Sequence, residues 1–247
     1  ADGDEEEAFG NGADSSSVDD LYNDVQHGSM QERIVALIKL RKCPSDEVEN
    51  LVETAGLLGD DSERIRSAAL YLIRHDSSKL LHILQNDKDQ GVRSAAIDVL
   101  AESETVDEET IQALIKAYET DAHWLVRASA AIAMGDIGKG FSQVEDSLIA
   151  SLEDTKVDGI DSQHIPIIRR NAITALGFLG SIRALPALGK ILESRDVSLR
   201  YRLAGALAGI RDAVSVQTLR QLCRDPNAQV AAMASSSLAR LEEMGVQ

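Results

Sequence analysis

The sequence is poor in cysteine, proline and aromatic residues: its 247 residues include two Cys, four Pro and 3% aromatic residues. Cys43 and Cys223 lie near opposite ends of the chain and are not expected to form a disulfide bond with each other. A chain so poor in cysteine is typical of a reducing compartment, and a cytoplasmic protein is predicted. No apolar run approaches the roughly 20 residues of a membrane span. We therefore expect a core built largely from Leu, Ile and Ala.

Positive charge is also scarce, since 25 Lys and Arg stand against 41 Asp and Glu, for a formal net charge of −16. This balance argues against binding to the phosphate backbone of nucleic acids. Nine of the acids fall within residues 1–24, which contain no Lys or Arg. Residues 1–17 are predicted to form a disordered acidic tail. The tail either keeps the chain in solution, occupies a basic partner, or covers basic patches of the protein itself.

One amphipathic helix pattern recurs seven times along the chain. Each copy is aligned on one anchor position. The residue before the anchor is apolar in six of the seven copies, and the residue three positions after it is Ala in six. The residue seven positions after the anchor is apolar in all seven copies. These offsets lie on one face of a helix. The anchors are Arg33, Arg66, Arg93, Arg127, Arg169, Arg200 and Ala231. Their mean spacing of 33 residues is typical of a helical repeat.

A second, shorter apolar pattern precedes each anchor helix, for example at Ile111, Leu114 and Tyr118. Each unit is therefore predicted to be an antiparallel pair of helices, and no stretch alternates as a strand does. We predict an all-α fold, an α-α superhelix of about seven helix pairs over residues 18–247. The last unit, with Ala231 as its anchor and three consecutive Ser after it, is typical of a polar terminal cap.

The turn inside a pair carries an Asp six residues before the anchor in four of the units. An Asp at a helix start accepts hydrogen bonds from exposed backbone amides, and the anchor Arg in the following helix can reach back to it. We therefore predict a structural role for most anchor arginines and for these aspartates. The framework positions are Arg33, Arg66, Arg93, Arg127, Arg200, Asp60, Asp87, Asp121 and Asp225.

This order of Asp, turn, Val or Ile, Arg and Ala resembles the HEAT repeat over about residues 29–243. The Gly-containing copies, such as Val126 to Ala131 followed by Gly135 and Gly138, are similar to the HEAT-like repeat of phycobilisome lyases. The resemblance implies a helical solenoid. It implies little about activity, since such repeats serve as scaffolds, adaptors, bilin lyases and enzymes.

Two enzyme classes with similar helix pairs fit the sequence poorly. The HEAT-like DNA glycosylases have a strongly basic concave surface, whereas residues 25–247 of this chain carry a net charge of −7. Deoxyhypusine hydroxylases ligate iron through His-Glu dipeptides, and none of the five histidines here is followed by Glu. No catalytic residue and no metal site is predicted.

Three features are candidates for partner binding. The second helix of each pair usually lines the concave side of such a solenoid. Its face away from the core is a stripe at positions +1, +5 and +8 from the anchor. This stripe includes Tyr and Arg, which often contribute most of the binding energy of an interface. Trp124, the single Trp of the sequence, either closes the edge of the core or is exposed as an anchor for a partner. An insertion at residues 153–165 is either idle or a binding loop. The candidates are Tyr71, Arg74, Trp124, His123, His164, Arg169, Arg170, Tyr201 and Arg202.

The sequence thus predicts a non-catalytic scaffold, adaptor or assembly factor that grips another protein on the concave face, without a cofactor. The alternative, drawn from the repeat resemblance, is a phycobilin lyase or antenna-associated factor of a phototroph. Such a protein would handle a bilin tetrapyrrole and would reside in the plastid stroma rather than the cytoplasm. Whether the chain is an enzyme depends on which of the two holds.

Overall fold

A computed structural model describes residues 17–43, 45–103, 106–153 and 163–246. The predicted tail, up to residue 16, and residues 154–162 of the predicted insertion lie outside the described residues. Within the described part the chain forms fourteen α-helices and no strand. The helices are α1 (Val18–His27), α2 (Met30–Leu40), α3 (Ser45–Thr54), α4 (Glu63–Leu70), α5 (Ser77–Asn86), α6 (Gln90–Ala101), α7 (Glu108–Thr120), α8 (Trp124–Ile137), α9 (Ser142–Glu153), α10 (Ile165–Leu179), α11 (Leu185–Gly189), α12 (Val197–Leu207), α13 (Ala213–Leu222) and α14 (Ala228–Glu243).

The helices follow the predicted order of pairs, and the all-α solenoid fold is confirmed. Every anchor falls in the second helix of a pair, from Arg33 in α2 to Ala231 in α14. The Ala residues three positions after the anchors are buried, as at Ala96 and Ala130. The apolar residues seven positions after the anchors, such as Leu100, are buried in six copies, and Leu238 of the last copy is half-buried. The face read from the sequence therefore forms the core side of each second helix.

Short polar residues determine where the first helices begin. The Ser29 hydroxyl accepts the N–H of Glu32 at 3.4 Å, and the Glu32 carboxylate accepts the N–H of Ser29 at 2.7 Å. Ser17 and Asp20 form the same capping box at the start of α1. The hydrogen bonds from Ser29 lower the pKa of the Glu32 carboxyl. These reciprocal bonds satisfy amides that have no partner inside the helix.

The chain divides into two compact units, Ala1–Leu72 and Ile73–Gln247. In the first unit α1 packs on α2 and α2 packs on α4, around fully buried side chains such as Val25, Leu37 and Leu70. The second unit contains α5 to α14. Its second helices α6, α8, α10, α12 and α14 pack on one another in succession. They form a continuous layer of helices within that unit.

Glycines bring neighbouring second helices into backbone contact. A Cβ built on Gly135 in α8 would lie 2.7 Å from the Cα of Ala175 in α10. A Cβ on Gly177 in α10 would lie 2.6 Å from the Cα of Ala206 in α12. Both glycines stand eight residues after an anchor, where the sequence pattern predicts the exposed stripe. That prediction is wrong for both, because the helices cross at this position and bury it.

The first helix of the sixth pair is broken. α11 has five residues and continues as a 3₁₀ helix to Glu193. Gly189 is a poor helix former, and 3₁₀ turns are common at helix ends. The predicted apolar face is nevertheless kept, because Leu185, Leu188 and Ile191 are all buried.

Candidate protein-binding surface

Within each unit, arginines of one repeat pair with aspartates of the next. The pairs, which we call the Arg–Asp ladder, are Arg33 with Asp60, Arg93 with Asp121, and Arg200 with Asp225. Arg200 donates from Nε and Nη2 to the two oxygens of Asp225 at 2.7 and 3.0 Å. Their side chains are only 11% and 5% exposed, and the bonds from Arg200 lower the pKa of Asp225. Two-point contacts of this kind are among the stronger polar interactions in proteins.

The anchor arginines also bind the backbone of their own turn. Nη1 of Arg66 donates to the carbonyl oxygen of Asp60 at 2.7 Å, while the Asp60 carboxylate pairs with Arg33 of the preceding repeat. Nη1 of Arg200 reaches the carbonyl of Ser194 at 2.6 Å in the same way. The sequence predicts that an anchor reaches back to its own Asp. The contact is with the backbone carbonyl, because the carboxylate turns towards the preceding repeat.

The turn aspartates do not cap the helices that follow them, which corrects their predicted role. The Asp121 carboxylate accepts the N–H of His123, two residues later, at 2.8 Å. It is His123 that caps α8, with Nδ1 accepting the N–H of Leu125 at 3.2 Å. Asp225 likewise binds the N–H of Asn227, and Asn227 caps α14. In these two turns the Asp shapes the turn and the side chain two positions later caps the helix.

The ladder is interrupted at Arg169. Six residues before the next anchor the chain has Ser194 in place of Asp, and among the described residues no ion pair involves Arg169. Its Nη2 donates to the carbonyl of Leu152 at 2.7 Å, and its Nε is buried without a hydrogen-bond partner. A cavity of about 230 Å³ lies beside it, lined in part by Lys190. Arg169, predicted to bind a partner, thus occupies a framework position between repeats.

Replacing Ser194 by Asp is expected to raise the free energy of unfolding by about 1 kcal/mol. The new carboxylate would accept the N–H of Asp196, as the Ser194 hydroxyl does at 3.2 Å, and would pair with Arg169. Urea denaturation measures the change. Ser194→Asn is the control, since an amide keeps the turn but carries no charge. An equal gain from both variants would show that the ion pair does not form.

The candidates at the start of α8 form an aromatic stack. The Trp124 ring lies on the His164 ring with centroids 4.7 Å apart and planes 4° apart, and His123 approaches it at 5.7 Å. Trp124 is half-buried. Of the two alternatives for this residue, the structure places the ring against its own chain, where it joins the start of α8 to the start of α10.

Other stripe candidates are engaged in local contacts. In the first unit the guanidinium of Arg41 lies 3.5 Å over the ring of Tyr71, in a cation–π arrangement. In the second unit Nη1 of Arg170 donates to the Ser198 hydroxyl at 3.3 Å. Arg74, at the start of the second unit, is half-buried. These side chains offer less open surface than the sequence pattern predicts.

Tyr201 and Arg202 lie in a surface pocket of about 400 Å³ formed by α10, α12 and α14. Phe178 stands in this pocket with 64% of its surface exposed. Gly205 leaves room in it, because a Cβ there would meet only the sulfur of Met233, at 4.0 Å. We call this site the C-terminal pocket. Its principal side chains are Phe178, Tyr201, Arg202, Arg211, Met233 and Arg240.

The exposed stripe of the second helices is rotated from the predicted one, which explains why Phe178 and Arg240 are missing from the sequence candidates. Both stand nine residues after an anchor, and so does the exposed Asp136. Packing between repeats buries the +8 position at Gly135 and Gly177, so the outward face centres on +5 and +9. Including position +9 in the predicted stripe would have identified both residues from the sequence.

The same stripe is acidic at the other end of the second unit. Asp98 in α6, Glu102 just after it and Asp136 in α8 are exposed. Partial loss of hydration raises the pKa of Asp98, and the charge of Glu102 raises it further. Loss of hydration also raises the pKa of Asp136. The stripe therefore changes from acidic at α6 and α8 to basic around the C-terminal pocket.

The described ranges contain neither a cluster suited to a metal ion nor a helix suited to a membrane. Across the described ranges, no group of three or more His, Cys, Asp or Glu side chains could hold a metal ion. None of the helices in those ranges is long and apolar enough to cross a bilayer. Cys43 and Cys223 are free thiols, and both are half-buried.

Comparison with solved structures finds helical proteins of low sequence identity. Human deoxyhypusine hydroxylase in complex with glycerol is 17% identical, covering 92% of this chain and 96% of its own, with a TM-score of 0.44. A designed armadillo repeat protein in complex with the peptide (KR)4 is 19% identical, covering 92% and 100%, with a TM-score of 0.42. An engineered protein is 18% identical, covering 91% and 68%, with a TM-score of 0.48.

Sequence comparison gives a family. No curated protein sequence matches the chain significantly. A profile for HEAT repeats matches residues 77–163 and residues 161–239. The matched stretches cover more than half of the chain and span α5 to most of α14. The protein belongs to the HEAT-repeat family.

Proposed function

We propose that this HEAT-repeat protein is a non-catalytic scaffold that holds another protein at the C-terminal pocket. The observation that carries the proposal is Phe178, 64% exposed beside Tyr201 on the outward face of the second helices. An aromatic side chain in that position adds little to the core. Aromatic residues and Arg are enriched at the centres of protein interfaces.

The chemistry of the pocket supports recognition rather than bond-making. No His, Cys, Asp or Glu is among the described residues that line it. These residue types most often serve as general acids, general bases or nucleophiles. What the lining offers is the aromatic surface of Phe178 and Tyr201 together with guanidinium donors. Such a surface suits an adaptor or assembly factor that grips a partner without changing it.

Filling the pocket should abolish partner binding. In Gly205→Leu the new side chain enters the pocket, since a Cβ at this position meets only Met233, at 4.0 Å. We expect the partner captured by the intact chain from its native extract to be lost, and the purified partner to bind at least about tenfold more weakly. Affinity capture with mass spectrometry, followed by titration calorimetry, measures both effects.

Gly189→Leu is the matched control. Apart from its chain neighbours and the backbone of its own helix, no heavy atom lies within 4 Å of a Cβ built on Gly189, and Gly189 is not part of the C-terminal pocket. This variant should retain the partner. Equal retention by both variants would place binding elsewhere, and the absence of any partner specific to the intact chain would contradict the scaffold function.

The alternative drawn from the phycobilisome-lyase resemblance stays a prediction. A bilin lyase or antenna-associated factor would bring a tetrapyrrole or a phycobiliprotein subunit into the captured material. A bilin absorbs visible light, whereas a scaffold on a colourless partner does not. The absorbance spectrum of the captured complex therefore distinguishes the two functions. A bilin-containing complex would favour the plastid stroma as the compartment, and a colourless complex would favour the cytoplasm.

A further inference from the structure

The arginines of the C-terminal pocket differ from those of the Arg–Asp ladder. Arg202, Arg211 and Arg240 are exposed, and within the described residues none of them forms an ion pair. An exposed guanidinium keeps its five N–H donors and its charge for a ligand from outside. The ladder arginines, by contrast, are committed to carboxylates of their own chain.

The charge of the pocket is opposite to that of the protein. Three cations line it, no Asp or Glu is among its described lining residues, and the chain as a whole carries −16. Clustered charge of one sign in a concave site raises the local concentration of ligands of the other sign. The site therefore favours an anionic ligand even though the protein as a whole repels one.

The apolar part of the pocket adds a second requirement. Phe178, Tyr201 and Met233 present apolar surface around the open space at Gly205. A neighbouring cavity of about 430 Å³ shares Tyr201 and Met233 and adds uncharged side chains of α14, such as Gln229. The two cavities together accommodate an extended or helical segment rather than a lone anion.

From this geometry we infer that the partner presents a segment in which Asp or Glu residues flank an aromatic or large aliphatic side chain. The inference rests on the proposed function and names its ligand. The apolar side chain fills the space at Gly205, and the flanking carboxylates pair with Arg202, Arg211 and Arg240. The exposed Asp98, Glu102 and Asp136 would repel the same carboxylates, which confines the segment to α10, α12 and α14.

The test selects binders to the intact chain from a phage-displayed library of random peptides. Selected sequences should be enriched in Asp and Glu around a Phe, Trp, Leu or Ile. Their consensus, made as a labelled synthetic peptide, should bind with an affinity that falls as salt is raised. Charge reversal in Arg202→Glu with Arg240→Glu should weaken binding at least about tenfold by fluorescence anisotropy.

A charge-matched control separates local pairing from the general field. Arg195 and Arg224 are exposed and do not line the C-terminal pocket, so Arg195→Glu with Arg224→Glu changes the net charge equally. This variant should stay within about twofold of the original affinity. A basic or uncharged consensus, or equal weakening by both double variants, would overturn the inference. A partner lost on Gly205→Leu in that case would still support the scaffold function.

Discussion

Replacing Arg200 by Met should lower the free energy of unfolding by about 3 kcal/mol. The substitution keeps the aliphatic volume but removes the two bonds to Asp225 and the bond to the carbonyl of Ser194. The Asp225 carboxylate, whose side chain is 5% exposed, is then left in place without its counter-charge. Leaving a buried charge uncompensated is more destabilising than the pair itself is stabilising.

Urea denaturation followed by circular dichroism measures this loss. The control is Arg220→Met, which removes an exposed pair with Glu242 at 3.7 Å and should cost less than about 0.5 kcal/mol. Adding Asp225→Asn to Arg200→Met should restore part of the stability, because the amide still accepts the N–H of Asn227 and carries no charge. A loss for Arg200→Met as small as that of the control would contradict a structural ladder.

The same pair predicts a dependence on pH. Arg200 lowers the pKa of Asp225 in the folded protein, so folding favours the ionised carboxylate. The contribution of the pair is fully present above the unfolded pKa of about 3.9 and is lost as the pH falls through the lower folded value. The difference in stability between the parent chain and Arg200→Met should therefore shrink on acidification into that range.

Gly177→Ala is expected to lower the free energy of unfolding by about 2–3 kcal/mol. The added methyl group would lie 2.6 Å from the Cα and 2.8 Å from the Cβ of Ala206, neither of which can move without shifting α12. Ala is the better helix former by about 1 kcal/mol, so propensity alone predicts the opposite sign. Overpacking of the α10–α12 contact outweighs that gain.

Gly205→Ala provides the matched comparison, because Gly205 is also inside a second helix but has open space at its Cβ. It should raise stability by about 0.5–1 kcal/mol. Gly135→Ala, at the equivalent contact with Ala175, should resemble Gly177→Ala. Thermal unfolding in parallel ranks the three variants, and a stabilised Gly177→Ala would show that the two helices are not in close contact.

The C-terminal pocket shows how far a helical pattern predicts a surface. Tyr201 follows from the repeat alignment alone, since it lies at +1 on the predicted outward stripe, and Arg202 is its neighbour in the sequence. Phe178 and Arg240 do not, because the predicted stripe ends at +8, a position that neighbouring helices bury at Gly135 and Gly177. An alignment gives the core face of one helix. The angle at which the next helix crosses it determines which of the flanking positions stays open.

The sequence by itself determined the all-α fold, the number and order of the helix pairs and the membership of the HEAT-repeat family, because each depends on hydrophobic periodicity within a short window. Only the tertiary structure decided the partners of the framework residues. Arg33 and Asp60 are 27 residues apart, and nothing local shows that the Arg of one repeat pairs with the Asp of the next. The interruption at Ser194, the burial of Gly177 and the cluster of Arg202, Arg211 and Arg240 have the same origin: each depends on how one repeat packs against its neighbour, a contact that periodicity within a repeat does not describe.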